Sequence, residues 1–224
     1  MNKKKEKNNH LPSLFYRIFK PLGKLIFKLY YHPTIIGKEN IPETGAIIVV
    51  GNHVHVMDQC GPIFSTKRVI HYMAKKEYFD GKGAWFFKAA GCISVNREIH
   101  DDEAKNQALD ILESGGGIGI FPEGTRNKTN DVFLLPLKFG VVSMAQKTGA
   151  TIVPSCITGD YNHKNKNLMY RVGTPFKVPA DMDLAEANEK LTKEMEKLMK
   201  ENLEATGRTV EEELNSRCQD TKKK

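Results

Sequence analysis

The strongest constraint on the fold is an alternation. Short apolar runs rich in β-branched residues recur along the chain, with helical patterns between several of them. AIIVV (46–50) has the length and composition of a buried strand, and RVIHYM (68–73), GCISVN (91–96), GIGIF (117–121), TIVPSCI (151–157) and YRVGTPF (170–176) are further strand candidates. Residues 101–114 read as a helix, with Asp101 or Asp102 as N-cap and the run Gly115–Gly117 as its stop. Residues 138–148, closed by Gly149, form a second helical pattern. A third, about 183–205, places Leu184, Ala187, Leu191, Met195, Leu198 and Leu203 on a core-facing stripe. With 224 residues, no internal repeat and no clear linker, the expectation is one α/β domain with helical extensions.

Charge and cysteine usage narrow the function classes. Of the net charge of +7, Lys3, Lys4, Lys5 and Lys7 against Glu6 supply +3, and Lys222, Lys223 and Lys224 another +3. Charged tails of this kind (1–11 and 207–224) suit solubility or an anionic membrane surface. No recognisable DNA- or RNA-binding motif accompanies them, so nucleic acid is not the expected partner. Cys60, Cys92, Cys156 and Cys218 contain no C-x-x-C pair, which argues against structural zinc and a disulfide framework and fits a reducing cytoplasm. No apolar run approaches the ~20 residues of a spanning helix. Lysines also interrupt every apolar stretch near the N-terminus that could serve a secretory signal.

Residues 12–32 stand apart. Within PSLFYRIFKPLGKLIFKLY, Arg17, Lys20, Lys24 and Lys28 fall in an arc of roughly 80° at helical spacing, opposite a wide apolar arc of Leu, Ile, Phe and Tyr. A basic face opposite bulky apolar residues suits a helix lying in a membrane interface, whereas packing on the domain core is the alternative. Pro21 is expected to kink or split it. The domain proper then runs from 33 to 206.

In open α/β folds chemistry collects at the carboxyl ends of strands. The strand at 46–50 leads through Gly51 into Asn52 and His53, the strand at 91–96 into Arg97 and Glu98, and the strand at 117–121 into Glu123, Gly124, Thr125 and Arg126. His53, His55 and Asp58 form a superficial metal-ligand run, which would allow a metallohydrolase. The other histidines, at 10, 32, 71, 100 and 163, have no promising acidic neighbours, and zinc needs at least three good protein ligands. An acid–base pair of His53 and Asp58 requires a turn between them, which a strand-to-helix transition supplies. Asp58 would then orient the imidazole and leave its other nitrogen to take a proton. No G-x-S-x-G motif supplies a serine nucleophile, so the activated hydroxyl belongs to a substrate. Arg97 and Arg126 are suited to a phosphate or carboxylate.

Together, NHVHVMD (52–58), AKKEYF (74–79) with GCISVNRE (91–98), FPEGTRN (121–127) and TIVPSCITG (151–159) resemble four ordered blocks of one family. It is the 1-acylglycerol-3-phosphate O-acyltransferase (PlsC-type glycerophospholipid acyltransferase) family, and the resemblance covers about residues 34–160. It implies a mixed, largely parallel central sheet flanked by helices. It also implies acyl transfer from acyl-CoA or acyl-carrier protein to the free hydroxyl of lysophosphatidic acid, giving phosphatidic acid, with no metal, no cofactor and no acyl-enzyme. His53 is then the general base and Asp58 its orienting partner. Asn52, Arg97, Glu123, Gly124, Thr125 and Arg126 would contact the acceptor, and Pro154 would shape the pocket. The N-terminal segment would hold the enzyme at the cytoplasmic face of the cell membrane, against anionic lipid. His55 and Met57 are less typical of the first block, and another lysophospholipid or glycerol 3-phosphate stays open as acceptor. A non-catalytic membrane-surface protein is the remaining alternative.

Overall fold

The structure is a computed structural model that describes residues 14–96, 99 and 101–219. The expected basic tail at 1–11 and Arg97 lie outside the described residues. In chain order the elements are α1 (Leu14–Tyr31), β1 (Thr34–Ile36), β2 (Ile47–Val50), α2 (Cys60–Ser65), β3 (His71–Lys75), α3 (Glu77–Asp80), α4 (Ala84–Ala89) and β4 (Ile93–Val95). They continue with α5 (Asp102–Glu113), β5 (Gly117–Ile120), α6 (Gly140–Thr148), β6 (Thr151–Thr158), β7 (Met169–Val172), α7 (Leu184–Thr206) and α8 (Val210–Gln219).

The strands form one seven-stranded sheet in the order β1-β7-β6-β2-β5-β3-β4. Every neighbouring pair is parallel except β6 with β7. The central strand, β2, buries both of its faces, as its uninterrupted β-branched run requires. Ile48 and Val50 pack with Ala108, Leu112, Val142, Ala145, Leu191 and Met195 beneath α5, α6 and α7. Ile47 and Val49 pack on the opposite side with Phe27, Ile70, Tyr72, Val153 and Tyr170.

Helix ends follow the capping chemistry of the sequence. Asp101 caps α5 by accepting from the Ala104 amide, and Asp183 caps α7 by accepting from Ala185 and Glu186. Gly149 and Gly207 close α6 and α7 in the left-handed region. β3 begins at His71, three residues later than expected, and ahead of it the Arg68 guanidinium donates to the carbonyls of Pro42, Gly45 and Gly115.

Two expectations change. α1 runs unbroken through the exposed Pro21, so the segment is not split into two helices. Residues 210–219, expected as part of a charged tail, form α8 instead. Its Glu213 and Arg217 are buried as a pair with Nη2–Oε1 at 3.6 Å, so their charge is internal. Among the described residues no helix is long and apolar enough to cross a membrane.

Candidate active site

Three parallel strands converge on the site. β2, at the centre, ends between β5 on one side and β6 on the other. Beyond Val50 the chain passes Gly51 and Asn52 and then folds back through residues 53–59 into α2. The Asp58 amide donates to the His55 carbonyl (3.3 Å) and the Cys60 amide to that of Met57 (2.9 Å). This turn brings the His53 Nδ1 to 2.9 Å from Asp58 Oδ2, closing a five-residue separation that neither a strand nor a helix could close. The same oxygen accepts the amides of Val54 and His55, both at 2.7 Å, and Oδ1 accepts the Tyr161 hydroxyl at 2.7 Å. Asp58 is 1 % exposed and its two oxygens accept four hydrogen bonds, so a buried carboxylate is fully partnered.

The loop after β5 fixes His53 from its backbone side. Glu123 Oε1 accepts the His53 amide at 2.7 Å, and the Asn127 amide donates to the His53 carbonyl at 2.6 Å. Glu123 Oε2 accepts the Leu135 amide at 3.0 Å, so one buried carboxylate joins two loops. Burial pushes the Glu123 carboxyl above its ordinary value, and the two amides with the nearby positive charge of Arg217 partly offset that. Phe121 supplies the face against which the His53 ring lies, with centroids 4.1 Å apart and planes 7° from parallel. The imidazole is therefore held at one edge by Asp58 and on one face by Phe121, with its side chain 17 % exposed. An ionised Asp58 only accepts, so Nδ1 carries the proton and Nε2 is the basic nitrogen.

The other sequence-selected residues fall into distinct places. Gly124 sits at φ +72°, so the turn itself calls for glycine, and the Lys138 side chain lies over it, with Nζ 2.6 Å from where a Cβ would stand. Thr125 and Arg126 are exposed on the same loop, between Glu123 and Asn127, both of which bond the His53 backbone. Asn52 is buried. Its amide donates to the Ile157 carbonyl (2.9 Å) and accepts the Ile157 amide (2.8 Å), which ties β2 to β6 and commits the side chain to that junction. Pro154 is buried in β6 opposite Val50, inside the sheet. His55, a conceivable metal ligand by spacing, accepts the Met57 amide at 3.2 Å on Nδ1 and stacks on Tyr161 at 4.1 Å. Among the described residues no group of three or more His, Cys, Asp or Glu is arranged to hold a metal.

Sequence reasoning missed Tyr161, Phe121 and Arg217. Tyr161 reaches Asp58 across 103 positions, a separation no motif spans. Burial and the Asp58 charge keep its hydroxyl far above the ordinary tyrosine value, so it stays a donor. Phe121 stands in the FPEGTRN block, where its place at a strand end was the one available signal. Burial pushes the Cys60 thiol, two residues past Asp58, up to about 12, so it contributes no thiolate.

Comparison with known proteins places the chain among relatives. A family model described as Acyltransferase matches residues 32–158. The 1-acyl-sn-glycerol-3-phosphate acyltransferase of Borreliella burgdorferi is 32 % identical over 142 residues, 62 % of this chain and 56 % of that protein. The Bacillus subtilis protein of the same name is 32 % identical over 145 residues, 63 % of this chain and 70 % of its own length. The matched stretch thus spans little more than half of the first relative. The crystal structure of PlsC, the 1-acyl-sn-glycerophosphate (LPA) acyltransferase from Thermotoga maritima, superposes with a TM-score of 0.68. That likeness covers 83 % of this chain and 78 % of that one at 21 % identity, and it shows the shared α/β fold. A family match over residues 32–158, more than half the chain, places this protein in the Acyltransferase family.

Proposed function

We propose that the protein transfers an acyl group from a thioester to the free hydroxyl of lysophosphatidic acid, giving phosphatidic acid. The observation that carries the chemistry is the His53 Nδ1–Asp58 Oδ2 bond of 2.9 Å, which leaves Nε2 as an oriented base. Nε2 takes the acceptor's hydroxyl proton as its oxygen bonds to the thioester carbonyl carbon. Collapse of the tetrahedral adduct breaks the C–S bond, and the imidazolium returns the proton to the departing thiolate. Asp58 stabilises the imidazolium between these steps and is not itself protonated. No acyl-enzyme forms. The choice of acceptor is supported by the names of the Borreliella and Bacillus relatives. Arg126, and Arg97 by its place in the second sequence block, supply guanidinium groups for the acceptor's phosphate. The acyl donor is acyl-CoA or acyl-carrier protein.

The same reading puts the enzyme on the cytoplasmic face of the cell membrane, held by α1. Ile18, Phe19, Leu22, Leu25, Ile26, Leu29 and Tyr30 are all exposed on that helix, over an arc of about 140° at 100° per residue. An apolar stripe this wide, flanked by Lys24 and Lys28, suits burial at the boundary of headgroup and acyl chain.

The deciding experiment offers a panel of lysophospholipids and glycerol 3-phosphate to the purified protein with one labelled acyl-CoA. Lysophosphatidic acid is expected to be the preferred acceptor, and His53→Ala to lower its turnover by about 10²–10⁴-fold without unfolding the protein. Preference for an acceptor without a phosphate monoester would overturn the choice of substrate. Full activity in His53→Ala would overturn the mechanism.

A further inference from the structure

α8 lies beyond residues 32–158, the part of the chain matched by the family model, yet it contacts both loops that hold the His53–Asp58 pair. On one side Arg217 Nη1 donates to the Phe133 carbonyl at 3.1 Å, and its guanidinium lies 5.5 Å from the centre of the Phe133 ring. Two residues on, the Leu135 amide donates to Glu123, which accepts the His53 amide. On the other side Glu213 Oε2 accepts the Gly159 amide at 2.9 Å. Two residues on, Tyr161 donates to Asp58. Gly159 itself has φ +91°, and a Cβ there would lie 2.2 Å from the Asn167 carbonyl oxygen, so this loop has little freedom to accommodate a shift. Arg208 braces the second arm, pairing with Glu213 at 2.7 Å and with Asp160 at 3.6 Å.

The pair at the centre is costly to bury. Glu213 is 0 % and Arg217 7 % exposed, and Glu213 Oε1, Arg217 Nε and Arg217 Nη2 make no hydrogen bond among the described residues. Stability alone is poorly served by such a pair, because apolar residues of similar volume would fill the space as well or better. Its orientation follows a different logic. The Arg217 cation reaches the Phe133 loop, where the charges of Glu213, Glu123 and Asp58 act on it, and the Glu213 carboxylate accepts from the loop after β6.

We infer that Arg217 and Glu213 are positioning residues for acyl transfer, and that α8 holds the His53 backbone through Phe133–Leu135–Glu123 and the Asp58 carboxylate through Gly159–Tyr161. The inference rests on the acyltransferase reading above. Its test uses the full chain carrying Arg217→Met, Arg217→Lys or Glu213→Gln, assayed with lysophosphatidic acid and a labelled acyl-CoA. Arg217→Met is expected to lower kcat about 10- to 100-fold, the range for a reacting group displaced by about an ångström, with the acceptor KM within twofold. Arg217→Lys, which keeps the charge, is expected to recover part of that loss. Amide hydrogen exchange should rise in Arg217→Met at segments 53–58 and 131–136, while β2 and β5 stay protected.

A kcat in Arg217→Met within twofold of the wild type overturns the inference. So does a loss carried wholly by KM, or exchange that rises equally across the sheet. Should Arg217→Met fail to fold, Glu213→Gln, which keeps an oxygen for the Gly159 amide but removes the charge that pairs Arg217, is read by the same division of kcat from KM, and an unchanged kcat there overturns the role of the charge pair. A wild-type protein inactive toward every acceptor removes the acyltransferase reading instead. The exchange pattern still decides whether α8 holds the two loops.

Discussion

Asp58 shows how one side chain can organise a site. Its carboxylate is buried and accepts from a ring nitrogen, two backbone amides and one hydroxyl. Three of those donors lie within the turn 53–58 and form as soon as the turn forms. The fourth, Tyr161, comes from the loop after β6, and with its ring stacked on His55 it ties the turn to that neighbouring strand. Tyr161→Phe therefore separates local from tertiary control. It removes one hydroxyl and leaves Oδ1 without that donor, at an expected stability cost of about 1–3 kcal/mol by urea titration. Turnover should fall severalfold with the acceptor KM unchanged, since nothing in that change touches Arg126. Turnover equal to wild type would show that the turn's own amides are sufficient to aim the carboxylate.

At the scale of the element, α1 divides its residues by face. Phe27 is 4 % exposed and packs with Tyr31 and Phe64, whereas Leu25, two positions away, is 52 % exposed. Lys20 belongs to the basic set by sequence, yet its ammonium donates to the Arg68 carbonyl at 2.7 Å. Burial, with the neighbouring charge of Lys24, lowers its pKa to about 8. Phe27→Ala should then cost about 3–5 kcal/mol in solution, while Leu25→Ala should leave stability within about 0.5 kcal/mol. On vesicles containing anionic lipid the order should reverse, with Leu25→Ala weakening sedimentation more than its effect on folding allows. Equal effects of the two changes in both assays would place the apolar stripe inside the protein.

This contrast also shows what the sequence could disclose. Helices α5, α6 and α7 were legible because each is nine or more residues long with a capping aspartate or a closing glycine. α3 and α4, of four and six residues, are too short for a 3.6-residue period to register. β1, the three residues Thr34–Ile36, was not singled out. α8 was hidden differently. Glu211, Glu212, Glu213 and Arg217 read as a solvated surface, and only the tertiary position of the helix reveals that Glu213 and Arg217 are buried. At the site, the polar residues next to strand ends, His53 and Glu123, were legible, whereas the apolar Phe121 and the residues joined only through the fold, Tyr161 and Arg217, were not.

For the whole molecule, the sheet both supports the site and limits its chemistry. β5 is GIGI, and its two glycines leave one face bare. A Cβ on Gly119 would lie 2.3 Å from the Tyr72 ring, which crosses from β3 over the strand, and one on Gly117 would lie 3.1 Å from Ile47 and Ile70. Tyr72 in turn meets Phe121 at 5.4 Å, and Phe121 stacks on His53 at 4.1 Å. A column of rings thus runs from the bare face of β5 to the imidazole, so core packing and ring placement are one problem. Gly119→Ala forces Tyr72 to move. It should cost about 1–3 kcal/mol by overpacking and lower kcat, although residue 119 lies outside the loops that carry the chemistry. In a Tyr72→Ala background, itself about 3–5 kcal/mol less stable, the added methyl meets space instead of a ring. There Gly119→Ala should cost less than about 0.5 kcal/mol, so the urea-derived double-mutant cycle returns a coupling close to the whole single-mutant penalty. Additive penalties in the cycle would mean that Tyr72 does not transmit the change. Phe121 would then take its position from the 121–127 loop alone.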